Sequence, residues 1–350
     1  MAEVGLQQDS IVDFLVKLLT TPSPTGYHLE VIDTVEAAFD ALAIPDLRIE
    51  RSPKGALVLT WPGERDDAPR GLTAHTDTLG LMVREIKSNG RLKLHMLGRY
   101  MWNAVEFEGV TIQTRDGRRY RGTVVPVKAS VHVHRAAGDE PRTQDTMEAR
   151  LDERVSNADD VRALGIEVGD FVFLDPRVEV TPSGFIRSRH LDDKAGVACI
   201  YGAFRAVCDA GLRPAQTVTT VIANYEEVGH GASVGFPPGL RELVAVDMAA
   251  VGQGQNSDEF SAGICVADAG GPYHVELTAR LRELAEAAAI PYRLDIYPYY
   301  GSDGEAYWRA GGAAQVALIG PGVDASHAYE RTHTESLLHT AHLLARYLLS

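Results

Sequence analysis

The chain has 350 residues, an apolar fraction of 45% and a formal net charge of -14. That length makes one large domain or two ordinary ones, and the apolar share supports a full globular core. The acidic balance argues against a nucleic-acid partner, because phosphate binding needs a basic footprint, and no apolar run is long enough to span a bilayer.

The opening residues Met1-Ala2-Glu3-Val4-Gly5 lack the basic and apolar regions of a signal peptide. The three cysteines, Cys199, Cys208 and Cys265, are odd in number and sit in apolar surroundings. They are expected as reduced thiols, and the chain as cytoplasmic.

Apolar spacing predicts a helix over Ser10–Leu19, with Ser10 or Asp9 as N-cap. A turn cluster, Thr21-Pro22-Ser23-Pro24-Thr25-Gly26, precedes a second helix from His28 to Leu42. Leu47–Ile49, Ala56–Trp61 and the apolar Gly71–Ala74 read as strands, the last delivering His75 at its end. The next hundred residues change character. Leu81–Ile86, Leu92–Leu97, Val110–Thr114, Tyr120–Val125, Val131–His134 and Phe171–Asp175 are short β-like runs, with Asp116-Gly117 as a hairpin signal.

From Asp193 onward helices and strands alternate. Helices are predicted at Lys194–Asp209, His274–Ala289 and Thr334–Leu349, and strands at Thr217–Ala223, Leu243–Asp247, Tyr292–Tyr297 and Ala314–Ile319. Alternation of this kind implies an α/β fold, a mainly parallel sheet flanked by helices. The β-rich stretch is expected as a small β-barrel inserted into it. The division is 1–83 and 183–350 for the α/β catalytic domain and 84–182 for the barrel, whose size suits a dimerisation or lid role.

The chemistry gathers in five separated stretches. They are Ala74-His75-Thr76-Asp77, Leu191-Asp192-Asp193-Lys194, Tyr225-Glu226-Glu227-Val228-Gly229, Val246-Asp247-Met248 and Arg331-Thr332-His333-Thr334. Each lies at a predicted strand end or helix start, where catalytic groups of α/β sheets collect. Imidazoles and carboxylates without thiolates suit zinc, cobalt or manganese. Two such ions can activate water and polarise a carbonyl.

Taken singly, each stretch also has an ordinary structural reading. A strand-end His beside a loop Asp is common, and so are two acids in a first helical turn. The adjacent Glu226 and Glu227 are harder to explain away, because paired carboxylates after an apolar strand are costly unless they bind something. Asp77 sits two residues beyond His75, where a carboxylate can orient a metal-bound imidazole. Of the late histidines His327, His333, His339 and His342, His333 stands in a polar loop before the closing helix and is the favoured ligand. Val131-His132-Val133-His134 would place two histidines on one strand face, better suited to an entrance or subunit contact than to a second metal site.

The motifs Ala-His-Thr-Asp-Thr-Leu-Gly-Leu-Met-Val at 74–83, Leu-Asp-Asp-Lys-Ala-Gly-Val at 191–197, Glu-Glu-Val-Gly at 226–229 and Ala-Val-Asp at 245–247 carry a family resemblance. From about Ile11 to the C-terminus the chain resembles the tetrahedral aminopeptidases, di-metal glutamyl/leucyl aminopeptidases also known under an endoglucanase label. The resemblance implies two divalent ions per subunit, zinc or cobalt, with manganese as an alternative. His75 and Asp247 would hold one ion, Glu227 and His333 the other, and Asp192 would bridge them. Glu226 would act as general base and then general acid, and Asp77 would orient His75. It also implies a peptide substrate and a homo-oligomer, from dimer to dodecamer.

Three departures stand out: Lys194 where the family has Arg, Gly301-Ser302-Asp303 where it has Gly-Thr-Asp, and an Arg one residue nearer to His333. The pattern is similar to a divergent bacterial branch associated with making N-acetylglutaminylglutamine amide. The alternatives to an aminopeptidase are a deacylase acting on a small acylated dipeptide-like metabolite and a non-catalytic assembly protein that kept the fold. A glycosidase would use only Glu226 and Glu227 and leave the His and Asp set unexplained.

Overall fold

The computed structural model describes residues 4–350; Met1, Ala2 and Glu3, part of the segment read above for a leader, lie outside the described residues. The chain divides into two compact units, 1–77 with 177–350, and 78–176. The boundaries come earlier than the expected 84 and 182 for a local reason. Gly80–Ile86 is already a strand of the smaller unit. The short strand Glu179–Val180 pairs instead with Phe185–Ser188 of the larger one.

The larger unit is built on a mixed sheet. At its centre Gln216–Ala223, Arg65–His75, Glu242–Val246 and Gln315–Asp324 lie side by side and parallel. Antiparallel strands flank them: Leu57–Trp61 beside Gln216–Ala223, and Ala262–Asp268 beside Gln315–Asp324. Three of the central strands are buried along nearly their whole length and Arg65–His75 is buried from Arg70 to His75, as expected when helices cover both faces. Leu57–Trp61, nearer the edge, alternates between buried and half-buried.

Helix Leu191–Asp209 is buried from Leu191 through Phe204. Its small residues explain how: Gly202 lies against Ile11, where an added Cβ would come within 2.5 Å. The helix packs between Gln8–Thr20 and Thr334–Leu348. Phe204 meets Phe39 edge-on at 5.5 Å and Trp61 at 5.0 Å between ring centroids, contacts worth about 0.5–1.5 kcal/mol each beyond their buried area. Helix Gln8–Thr20 begins ahead of the expected Ser10, and neither Ser10 nor Asp9 caps it: its N-cap is Gln7, without a side-chain bond.

In the smaller unit Gly80–Ile86, Leu92–Leu97, Met147–Leu151, Arg119–Pro126, Gly109–Gln113 and Phe171–Leu174 close into a barrel in that order. One strand expectation fails and one strand was not foreseen. Val131–His134 forms turns, with His134 N–H donating to Ser130 O, and its valines are 65% and 73% exposed. His132 and His134 therefore do not share a strand face. The place in the barrel belongs to Met147–Leu151, whose Met147, Ala149 and Leu151 point inward.

No helix among the described residues is long and apolar enough to cross a membrane. Cys199 and Cys265 are buried and Cys208 is half-buried; none is in a disulfide.

Candidate active site

Parallel pairing brings the carboxyl ends of the central strands to one edge. Ala223 lies beside His75, and Ala245 beside Thr73. The chain leaves those ends through three reactive stretches. His75 closes its own strand and Asp247 follows Val246. Beyond Ala223, Tyr225 takes a left-handed conformation (φ 75°) and turns Glu226 and Glu227 into a short 3-10 segment. Asp192 enters from the start of helix Leu191–Asp209, where Asp192 and Asp193 are not yet helical and are joined by a cis peptide bond.

Two groups of ligand-type atoms result. Donor atoms of His75, Asp192 and Asp247 lie within 4.8 Å of one another, and so do those of Asp192, Glu227 and His327. Asp192 belongs to both. Its Oδ1 lies 3.3 Å from His75 Nε2 and its Oδ2 3.3 Å from His327 Nε2. Asp247 Oδ2 is 4.0 Å from His75 Nε2, and Glu227 Oε2 is 3.5 Å from His327 Nε2. Glu226 stands beside the first group, with Oε2 3.6 Å from His75 Nε2.

His333, the expected ligand, is not in either group. Its Nδ1 accepts the N–H of Glu335 and caps the closing helix. Its Nε2 lies 2.8 Å from the Ser183 carbonyl, and its ring packs between Phe185 and Phe260. The histidine that reaches Asp192 and Glu227 is His327, in the loop between strands Gln315–Asp324 and Glu330–His333. A signal for it was present in Ser326-His327-Ala328-Tyr329-Glu330: a histidine bracketed by a hydroxyl and a carboxylate able to hold its loop.

Main-chain amides of the site are gripped by carboxylates that belong to neither group. Asp193 accepts from His75 N at 3.2 Å and Gly196 N at 3.1 Å. Asp77 accepts from Glu226 N at 3.1 Å, Glu227 N at 3.3 Å and the Thr25 hydroxyl at 2.7 Å. The expected orientation of His75 by Asp77 thus comes chiefly from its carbonyl oxygen, 2.8 Å from Nδ1, whereas its carboxylate stands 3.6 Å away. That contact makes Nδ1 a donor, so the neutral imidazole would carry its lone pair on Nε2, toward the carboxylates. Lys194, fully buried, donates to Thr21 O at 2.7 Å and ties down the 21–26 turn. Burial pushes its pKa down to about 7.

The electrostatics are those of crowded anions. Burial pushes Asp247 up to about 7, reinforced by the charge of Asp192. Burial likewise raises Glu226 and Glu227 well above the usual carboxylate range; His75 and His327, respectively, oppose the shift. For Asp192 burial works in the same direction, but the adjoining His327 and His75 imidazoles override it and hold its pKa low. Burial would lower the His75 pKa, yet Asp192, Glu226, Asp77 and Asp247 drive it well above 6.5. Meanwhile His75 Nε2 and Glu227 Oε1 are buried with no hydrogen-bond partner. Orphaned atoms of this kind cost about 1–3 kcal/mol each unless something binds them. A set of nitrogen and oxygen donors, excess negative charge and unpartnered ligand atoms fits divalent cations.

An α/β fold with imidazoles and carboxylates converging at the carboxyl edge of its sheet is that of a metallo-exopeptidase. The chain belongs to the M42 glutamyl aminopeptidase family, whose model matches residues 55–343. It is 48% identical over 339 residues, 97% of each chain, to YhfE of Bacillus subtilis (strain 168), provisionally named an aminopeptidase. To the glutamyl aminopeptidase of Lactococcus lactis subsp. cremoris (strain MG1363) it is 30% identical over 243 residues, 66% of this chain and 65% of that one. In structure it is similar to the TET1 peptidase of Pyrococcus horikoshii, described as able to assemble into a tetrahedron or a large octahedral shell. There the TM-score is 0.84 at 19% identity, over 97% of this chain and all of the other. The protein is therefore an enzyme, an aminopeptidase of the M42 family, and a non-catalytic assembly role is set aside.

Proposed function

We propose that the enzyme is a metal-dependent aminopeptidase that removes the N-terminal residue of short peptides at this site, with Glu226 as general base and acid. The observation that carries the reading is Asp192, shared between two ligand groups, with the carboxylate of Glu226 beside them. His75 and Asp247 would hold one divalent ion and Glu227 and His327 the other, with Asp192 between. Zinc or cobalt suits these donors best, and manganese is the alternative. Ions bound there supply an acidified water and a polarised scissile carbonyl.

The protein's own residues then have distinct tasks. Glu226, whose Oε2 stands beside the first group, takes the proton of the attacking water. As the C–N bond breaks it returns that proton to the leaving amine. Asp77 positions the base through the main chain, since it holds the amides of Glu226 and Glu227 together. His75 keeps its tautomer through the Asp77 carbonyl.

Cytoplasmic residence accords with three cysteines outside any disulfide. A homo-oligomer, from dimer to dodecamer, accords with the shells formed by the TET1 peptidase, with barrel 78–176 in a dimerisation or lid role.

The test is hydrolysis of free and N-acetylated short peptides by stripped protein with zinc, cobalt or manganese restored. Metal-dependent release of unblocked N-terminal residues alone is expected. Cleavage of the blocked set would replace the reading with a deacylase. A second experiment separates the two histidines. His327→Ala is expected to lower kcat/KM by at least about 100-fold and to weaken metal binding, as loss of a ligand should exceed the roughly 10–100-fold effect of an outer partner. His333→Ala should leave metal content intact and cost about 1 kcal/mol of stability through the lost cap. The reverse pattern in metal analysis would restore His333 as the ligand.

A further inference from the structure

The loop that carries His327 has no regular structure, yet its histidine must meet Asp192 at a defined separation. One side chain sets that separation. Glu330 is 2% exposed. Its Oε2 accepts the N–H of Asp192 at 3.1 Å and its Oε1 accepts the N–H of His327 at 3.0 Å. A single carboxylate thus joins the main chains of two residues 135 positions apart in sequence. Strand pairing supports it from below, with Glu330 opposite Ser188. The Ser326 hydroxyl adds a contact to Asp192 Oδ2 at 3.2 Å, and Arg189 donates to Ala328 O at 3.1 Å.

We infer that Glu330 is a positioning residue of the metal centre, a buried two-oxygen clamp that holds His327 at Asp192 and so builds the ion site shared with Glu227. The inference rests on the dinuclear reading above and adds a role that His327, Asp192 and Glu227 cannot fill themselves. The clamp holds His327 on one side of the centre only, whereas Asp192, its other partner, belongs to both groups. On the other side, His75 N is held by Asp193 instead. Loss of the clamp should therefore be felt unequally by the two ions.

The chemistry needs both oxygens as acceptors. A glutamine at this position has one acceptor oxygen and an amide that only donates. Its NH2 would face an N–H, donor against donor, and one main chain would be released. Aspartate keeps the charge but is one methylene shorter, so it cannot span both amides. Both Glu330 oxygens are taken up by main-chain N–H groups, so its effect should appear in metal affinity before any change in chemistry.

The experiment is titration of metal-free enzyme with zinc against a chromophoric chelator, which reads stoichiometry and both affinities. Wild type is expected to take two ions per chain. Glu330→Gln and Glu330→Asp should each bind one ion on the order of 10–100-fold more weakly and the other with a smaller loss, through Asp192. The more weakened site should be the one that His327→Ala removes. Two ions bound as tightly by both variants as by wild type would overturn the clamp and leave the dinuclear reading standing. A wild type that takes fewer than two ions would overturn the dinuclear reading, and the inference with it. Should neither variant fold, hydrogen exchange on the metal-free wild type decides. Protected Asp192 and His327 amides support a clamp that exists before metal arrives, and free exchange at both refutes it.

Discussion

Glu226→Gln is expected to bind metal like the wild type and to lose about 10²–10⁴-fold in kcat, the usual worth of positioned acid–base help. The substitution keeps the shape of the side chain and removes only its ability to take a proton. The turn that presents it does not depend on the carboxylate, because Asp77 holds residue 226 by its main-chain N–H. A drop in kcat with unchanged metal stoichiometry would therefore report chemistry, not architecture. Turnover within a small factor of wild type, with two ions bound, would remove Glu226 from the proton path. A loss of metal together with activity would make it a ligand instead.

Asp192→Ala should have a larger effect on binding than any other single change at the site. Each remaining ligand serves one group, whereas Asp192 lies 3.3 Å from both His75 Nε2 and His327 Nε2. Its removal takes a donor from both ions at once. Affinity should fall by well over about 100-fold, since outer partners of ligands alone are worth about 10–100-fold. Competition with a chelator is the direct measurement. Retention of two tightly bound ions would show that the groups are independent and that Asp192 is shared only in position.

The sequence made much of this legible because the chemistry sits where simple patterns change. Gly71–Ala74 and Leu243–Val246 are apolar runs that end in a histidine and an aspartate, and burial of a parallel strand produces such runs. Glu226 and Glu227 stood out because two adjacent acids after a buried strand need a reason. His327 was not legible in the same way. It lies in a loop, where neither periodicity nor capping constrains it, while His333 precedes a clear helix and looks better placed. What favours His327 is a contact with Asp192, far away along the chain, and local pattern carries no record of it.

The barrel teaches a related lesson. Val131-His132-Val133-His134 alternates as a strand should, yet its valines lie exposed in turns. Met147-Glu148-Ala149-Arg150-Leu151 alternates too, but its charges disguise it. Glu148 is 4% exposed, its carboxylate contacted by Lys87. A paired ion can enter a sheet that a lone charge could not.

Helix Leu191–Asp209 bears on how the enzyme matures. It brings Asp192 to the centre, and it is wedged between the helix Gln8–Thr20 and the closing helix Thr334–Leu348. During synthesis every proposed ligand from His75 to His327 leaves the ribosome before the helix Thr334–Leu348 does. A nascent chain would thus hold its acidic residues without the wall that aligns them, and capture of metal would have to wait until residues 334–348 have emerged. Synthesis under metal starvation should accordingly yield folded chains that can be charged afterwards, rather than fragments loaded as they emerge.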